Sequence, residues 1–185
     1  EYFLDVHPPL ARLLVTLSAW VGGFSGEFKF YDIGADYLKQ KVPYVTMRSF
    51  TATLGALVVP IAFLTLRTVG VGSVVSLTAA SLLLFDNALT TQSRLILLDS
   101  YLVFFTATTA LFWCLFTQER HAPFKTKWWT WLALSGLSLG LVASCKWVGL
   151  FMVAVLGLYT ITDLWTTFGD TFVPLVPHIC CMYSK

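Results

Sequence analysis

The 185-residue chain is 57% hydrophobic and 12% charged, with a mean hydropathy of +0.74, whereas soluble domains carry roughly 25% charged residues. A soluble protein of this length cannot cover so much apolar surface, so the composition excludes an ordinary soluble domain and predicts a membrane protein. The formal net charge of +2 is too small to indicate a nucleic-acid-binding protein.

The first 48 residues are predicted to form a loop that carries one helix lying at the membrane interface. The segment 7–24 is apolar but too short and too interrupted to span a bilayer comfortably. Pro8 and Pro9 suit the first turn of such a helix, where their missing N–H groups cost nothing. Three glycines are expected to end it: Gly22, Gly23 and Gly26.

Charge-free runs divide the rest of the chain, residues 49–185, into predicted transmembrane helices. Each of the first four runs has 18 or 19 residues, and at about 1.5 Å per residue such a helix approaches the ~30 Å thickness of the hydrocarbon layer. The predicted spans are 49–67, 68–86, 98–118, 128–146 and 147–165, with a truncated span from 171. The predicted fold is therefore all-α and polytopic, and forms a single incomplete transmembrane domain.

The ionisable residues separate between two faces of the membrane if the chain crosses at each run. Residues 1–47 lie on the first face, whereas Arg67 and the loop 119–127 lie on the second. The first face gathers Asp5, His7, Arg48, Asp86, Arg94, Asp99 and Lys146. A charge at mid-bilayer costs at least ~2.5–3.5 kcal/mol, so a charge at the edge of a span either reaches the interface or serves a function. For any single residue, it is an equally good interpretation that the charge only marks the end of a span. That interpretation explains less well why three cations, three carboxylates and a histidine gather on one face.

The excess of positive charge does not orient the chain. The first face has seven Lys or Arg residues (12, 29, 39, 41, 48, 94 and 146) and the second has four (67, 120, 125 and 127). Taken literally, these numbers place the first face in the cytosol, but charges recruited into a functional site distort the rule. Orientation therefore stays open at this point.

The chemistry of the first face suits an anionic lipid head group. Arg48, Arg94 and Lys146 offer a bidentate fork or a point charge to phosphate, and His7 could donate to it or shuttle a proton. The cysteines lack the spacing of a metal or disulfide site. One hypothesis is a membrane transferase that uses a lipid-phosphate-linked donor. The alternatives are a multi-pass transporter, although the run centres are almost charge-free, and a non-catalytic subunit of a membrane complex.

Five sequence blocks resemble one family, in the same order as in that family. The blocks are FLDVHPPLARLL (3–14), VPYVTMRSF (42–50), FDNALTTQSRLILLDS (85–100), SCKWVGLF (144–151) and DLWTTFGD (163–170). They resemble the protein O-mannosyltransferases, the dolichyl-phosphate-mannose–protein mannosyltransferases of the endoplasmic reticulum. The resemblance implies a GT-C type glycosyltransferase that moves mannose from dolichyl phosphate mannose to Ser or Thr hydroxyls of secretory proteins, with inversion. No metal-binding residue is predicted in the chain, and whether the reaction needs a metal stays open.

The resemblance also implies roles for individual residues and places residues 1–47 in the lumen. Arg48, Lys146 and His7 are expected to bind the lipid phosphate of the donor. Five further residues are expected to shape or orient the site: Asp5, Pro8, Pro9, Arg94 and Asp99. The general base is expected in an Asp-Glu pair upstream of Glu1, and MIR repeats after the chain, so the isolated segment is predicted to be inactive. Pairing with another family member is implied as well.

Overall fold

The computed structural model describes residues 7–26 and 42–172, and within these ranges the chain forms helices and no strand. This confirms the predicted all-α class. The helices are α1 Leu10–Val21, α2 Tyr44–Thr68, α3 Ser73–Leu84, α4 Asn87–Arg94, α5 Asp99–Gln118, α6 Thr126–Cys145 and α7 Leu150–Phe172. Single 3₁₀ turns at Glu119–His121 and Trp147–Gly149 follow α5 and α6.

Three long helices, α2, α5 and α6, form the centre of the bundle, with α5 packed against the other two. Thr51 bonds Tyr101 close to where α2 and α5 begin, and the Gln118 amide donates to the carbonyl of Thr68 where both helices end. Helices α2 and α5 are therefore parallel, and α6 returns antiparallel to them. We call one end of this bundle the near end; α2 and α5 start there and α6 terminates there. The opposite end is the far end.

Helix α1 packs against the near end of this bundle. Ala11 is completely buried in one cluster with Tyr101 and Cys145. A helix forms within the predicted segment 7–24 and ends before Gly22; its predicted place at the membrane interface stays a prediction. The prediction that both prolines occupy its first turn is wrong, because Pro9 is the N-cap residue and Leu10 is the first helical position.

The predicted second span, 68–86, contains helix α3, which meets the following helix α4 at a bend of 53°. Helix α3 has 12 residues, so at about 1.5 Å per residue it is roughly 18 Å long. It starts after a turn at Gly70, whose φ of +92° favours glycine. Helix α4, absent from the sequence-based predictions, begins where the Asp86 carboxylate accepts a hydrogen bond from the Leu89 N–H at 2.8 Å.

The packing of α4 on α2 depends on a glycine. A Cβ atom at Gly55 would overlap the Ser93 hydroxyl and lie 2.5 Å from Ser93 Cβ. Small side chains allow helices in membranes to approach closely, because packing rather than water exclusion holds them together there. Gly55 thereby sets the position of α4, and with it that of Arg94.

The helix lengths and exposed apolar side chains identify a helical, polytopic membrane protein. Four helices within the described residues are long and apolar enough to cross a membrane, or five if α3 and α4 together form one span. Phe85 is 82% exposed and Val74 78% exposed, which suits contact with lipid rather than water.

Two helix boundaries differ from the predicted spans. Helix α2 begins at Tyr44, five residues before the predicted start at 49, because Pro43 serves as its N-cap and a proline needs no N–H partner there. Helix α7 continues to Phe172, through the predicted start of a sixth span at 171. The remainder of that predicted span lies outside the described residues.

Candidate functional site

An ion pair at the near end joins the start of α5 to the residue that follows α6. Lys146 Nζ lies 2.7 Å from Asp99 Oδ1, which is both a salt bridge and a hydrogen bond. Asp99 is in the first turn of α5, where the helix dipole favours a negative charge. Lys146 has an extended backbone, with φ −159° and ψ 147°, so its side chain leaves the axis of α6. The structure thus brings together two of the residues that the sequence analysis placed on one face.

The pair is half-buried, with 23% of the Lys146 side chain and 34% of the Asp99 side chain exposed. Partial burial lowers the local dielectric and strengthens the attraction between the two charges. Each charge is thus compensated, yet both remain within reach of a molecule arriving from outside. A phosphate approaching Lys146 would find it oriented by a carboxylate.

A buried hydrogen bond next to the ion pair ties α5 to α2. Tyr101 is completely buried, and its hydroxyl lies 3.2 Å from Thr51 Oγ1. The sequence-based reasoning missed both residues, since each lies inside a charge-free run. A buried polar side chain in a membrane helix needs a partner, so the presence of polar residues in these runs was the available signal.

Arg48 is exposed in the second turn of α2, at the near end. Its guanidinium carbon lies 5.6 Å from the centre of the Tyr44 ring, a cation–π geometry. Within residues 7–26 and 42–172, no carboxylate pairs with Arg48, whereas Lys146 is paired with Asp99.

His7 reaches the near end through α1. It lies four residues before Ala11, which packs on Tyr101 and Cys145. Within residues 7–26 and 42–172, its Nδ1 atom is buried and has no hydrogen-bond partner. Pro8 and Pro9 directly precede α1, and the Leu13 N–H donates to the Pro9 carbonyl at 3.0 Å. The predicted site residue Asp5 lies outside the described residues.

Arg94 and Asp86 occupy different places from the ion pair. Exposed Arg94 lines an open apolar groove of about 260 Å³, together with Gly55 and Ala56 of α2. Asp86, which was predicted on the same face, serves as the N-cap of α4. Only the local structure of α4 explains this capping role, and the sequence-based analysis did not include that helix.

A second cavity of about 350 Å³ adjoins the site. Its mainly apolar wall includes Met47 and Leu98, the chain neighbours of Arg48 and Asp99, and the cation Arg12. The cavity is therefore lined by residues next in sequence to the charged groups. No cluster of three or more His, Cys, Asp or Glu side chains suitable for a metal ion occurs in the described ranges.

Comparison with known sequences identifies the family. The profile of the dolichyl-phosphate-mannose-protein mannosyltransferase family matches residues 1–185. The chain belongs to this family. It is 44% identical over 164 residues to dolichyl-phosphate-mannose–protein mannosyltransferase 4 of Candida albicans, covering 89% of the chain and 22% of the relative.

Two further relatives support the assignment. Mannosyltransferase 3 of Saccharomyces cerevisiae is 40% identical over 175 residues, covering 94% of the chain and 23% of the relative. Protein O-mannosyl-transferase 2 of Danio rerio is 41% identical over 175 residues, covering 95% of the chain and 23% of the relative. The chain thus spans about a quarter of the length of these relatives. Their names confirm the resemblance seen in the sequence.

Proposed function

We propose that the chain forms the donor-phosphate end of a GT-C type enzyme that transfers mannose from dolichyl phosphate mannose to Ser or Thr hydroxyls of secretory-pathway proteins. The observation that carries the proposal is the near end itself. An exposed Arg48 and a Lys146 oriented by Asp99 lie there, at the starts of two membrane helices and the end of a third. The names of the relatives specify the same donor class.

The proposed reaction makes specific demands on the near end. The acceptor oxygen attacks the anomeric carbon of mannose on the side opposite the phosphate, which inverts that centre, while the bond from that carbon to the phosphate oxygen breaks. The departing dolichyl phosphate takes the electron pair and gains a negative charge, which Arg48 and Lys146 offset. We also assign His7, at the approach to α1, to the surroundings of the same phosphate, as the resemblance implies.

The proton of the acceptor hydroxyl must pass to a base, and neither described carboxylate at this part of the fold suits that role. Asp99 is held by Lys146 at 2.7 Å, and Asp86 accepts the N–H of Leu89. The geometry shows an oxygen of each carboxylate already engaged by a partner inside the fold, rather than directed at an incoming hydroxyl. We therefore assign Asp99 to orienting Lys146, and not to proton abstraction.

The apolar cavity beside the site fits a lipid-linked donor. Met47 and Leu98 line it, one residue from Arg48 and Asp99 respectively. A polyprenyl chain lying in the membrane would pack against such a wall through dispersion contacts rather than by leaving water. The charged groups would then face the phosphate at the head of the same molecule.

Replacing the two cations tests the proposed phosphate contacts. In the protein expressed from its complete reading frame, we expect Arg48→Ala and Lys146→Ala each to lower kcat/KM for dolichyl phosphate mannose by roughly 10- to 100-fold, the loss of one charge-assisted hydrogen bond. The matched controls are Arg67→Ala, at the far end of the same helix as Arg48, and Lys127→Ala, at the far end of α6. Both controls should keep the rate of the unmodified protein.

Two results would contradict the proposal. Unchanged rates in both Arg48→Ala and Lys146→Ala would remove these residues from the donor site. A folded, unmodified protein that transfers no mannose to a Ser/Thr peptide would favour the transporter or the non-catalytic subunit. Transfer of [³H]mannose to such a peptide in microsomes measures both.

We also propose that the protein lies in the endoplasmic reticulum membrane with residues 1–47 in the lumen, and that it pairs with another family member. Asn87 is the only asparagine in the chain and is not followed by Ser or Thr at the second position after it, so the chain has no N-glycosylation acceptor of its own. An acceptor introduced at 24–26 should be glycosylated, and one introduced at 122–125 should not. The reverse pattern would place the near end in the cytosol.

A further inference from the structure

One side chain at the near end touches the three segments that carry the proposed phosphate-binding residues. Tyr101 is completely buried and packs in one cluster with Ala11 and Cys145. Cys145 is the residue directly before Lys146, and Tyr101 itself lies two residues after Asp99. The Tyr101 hydroxyl reaches α2 at Thr51, three residues after Arg48.

The direction of the hydrogen bonds follows from the number of protons. The Thr51 hydroxyl donates to the Met47 carbonyl at 3.1 Å, and a hydroxyl has a single proton to donate. Thr51 Oγ1 must therefore accept from the Tyr101 hydroxyl, 3.2 Å away. The result is a directed chain of bonds from Tyr101 to Thr51 and on to Met47.

Arg48 lies within the helical turn that this chain of bonds closes. Its neighbours Met47 and Thr51 are both completely or almost completely buried, whereas Arg48 itself is exposed. Fixing the two buried residues fixes the rotation of α2 about its axis at this turn. The direction in which Arg48 leaves the helix is thereby set from α5, the helix that also carries Asp99.

We infer that Tyr101 is a positioning residue that sets the spacing between Arg48 and Lys146, so that both meet one phosphate. The inference rests on the proposed function. Tyr101 acts through two routes: its hydroxyl holds the Arg48 turn through Thr51, and its ring supports Cys145 before Lys146. It does not touch the donor, because its side chain is fully covered.

Variants that remove only the hydroxyl groups test this inference in the protein expressed from its complete reading frame. Tyr101→Phe keeps the buried ring, and Thr51→Val keeps the volume of the threonine. We expect each to raise the KM for dolichyl phosphate mannose about three- to tenfold, the effect of one net hydrogen bond. The KM for the acceptor peptide should not change, since these residues act on the phosphate contacts alone.

Two matched variants separate positioning from folding. Thr51→Ser retains the hydroxyl and should restore the donor KM. Thr109→Val removes another completely buried hydroxyl of α5, one that bonds the Phe105 carbonyl of its own helix, and it should leave the donor KM unchanged. A variant that merely folds less well yields fewer active molecules, which lowers the apparent kcat and leaves KM unaltered.

The possible results divide clearly. A raised donor KM in Tyr101→Phe and Thr51→Val, with recovery in Thr51→Ser, supports the inference. An unchanged donor KM in the first two, while Arg48→Ala is impaired, overturns the positioning role and leaves the proposed function standing. Unaltered donor kinetics in Arg48→Ala and Lys146→Ala overturn the proposed function, and this inference with it.

Discussion

The half-buried ion pair between Asp99 and Lys146 should show a measurable coupling energy. At 2.7 Å, two unit charges attract by ~6 kcal/mol at an effective dielectric constant of about 20. Lost hydration and the ordering of the lysine side chain offset most of this. Exposed pairs retain at most ~1 kcal/mol, and breaking a buried pair costs ~3–5 kcal/mol. With side-chain exposures of 23% and 34%, we expect a coupling of about 1–3 kcal/mol.

A double-mutant cycle measures this coupling. The variants are Asp99→Asn, Lys146→Met and the two combined, and the free energy of unfolding is followed by tryptophan fluorescence in mixed detergent micelles. The combined variant should lose less stability than the two single losses added together, because the second change meets a partner already gone. Additive losses within about 0.5 kcal/mol would refute the view that the pair holds α5 to the terminus of α6.

A charge swap separates the structural role of the pair from its proposed role in donor binding. Asp99→Lys combined with Lys146→Asp restores an ion pair, apart from ~0.3–1 kcal/mol lost by placing a cation at the start of α5. Stability should largely return, but mannosyl transfer should not, because the cation now leaves from the wrong helix. Recovery of both would show that Lys146 serves the fold alone.

Two further predictions concern α4. Gly55→Ala should lower the free energy of unfolding by about 1–3 kcal/mol, because the added methyl overlaps Ser93. The control Gly136→Ala, with nothing within 4 Å of the added atom, should raise that free energy slightly through helix propensity. Equal losses in the two variants would contradict this prediction. Asp86→Ala should cost about 1 kcal/mol in the same denaturation assay by removing the hydrogen bond to the Leu89 N–H, and Asp86→Asn should retain most of that stability; a neutral alanine variant would exclude the capping role.

The sequence predicted best those features that charge alone determines. The third predicted span, 98–118, nearly coincides with α5 at Asp99–Gln118, because a charged residue marks each end of its apolar run. Counting crossings placed Asp99 and Lys146 on one face, since two antiparallel helices bring the start of one to the end of the other, but the ion pair between them was not predicted. No knowledge of helix packing was needed for either.

Features that depend on helix rotation or on turn geometry were not predictable in the same way. Thr51 and Tyr101 lie inside charge-free runs, and only the rotation of α2 and α5 about their axes decides that their hydroxyls meet. The start of α3 was misplaced because Val69–Gly72 carries no charge, although the positive φ of Gly70 ends the preceding helix. Helix α4 was missed for a similar reason. The carboxylate of Asp86 is equally typical of the end of a span and of a helix N-cap, and only the first was considered.

The near end separates two positive charges that the sequence treats alike. Lys146 is balanced by Asp99, whereas no carboxylate of the described residues pairs with Arg48, so under the proposed function we expect the singly charged donor phosphodiester to be bound mainly by Arg48. As the bond to mannose breaks, the charge on the phosphate increases from one towards two negative charges. Lys146 can then stabilise the additional charge. Binding would therefore depend chiefly on Arg48, and departure of the phosphate on Lys146. Arg48→Ala should accordingly raise the donor KM more than it lowers kcat, whereas Lys146→Ala should lower kcat more. Equal patterns in the two variants under steady-state conditions would reject this division of roles.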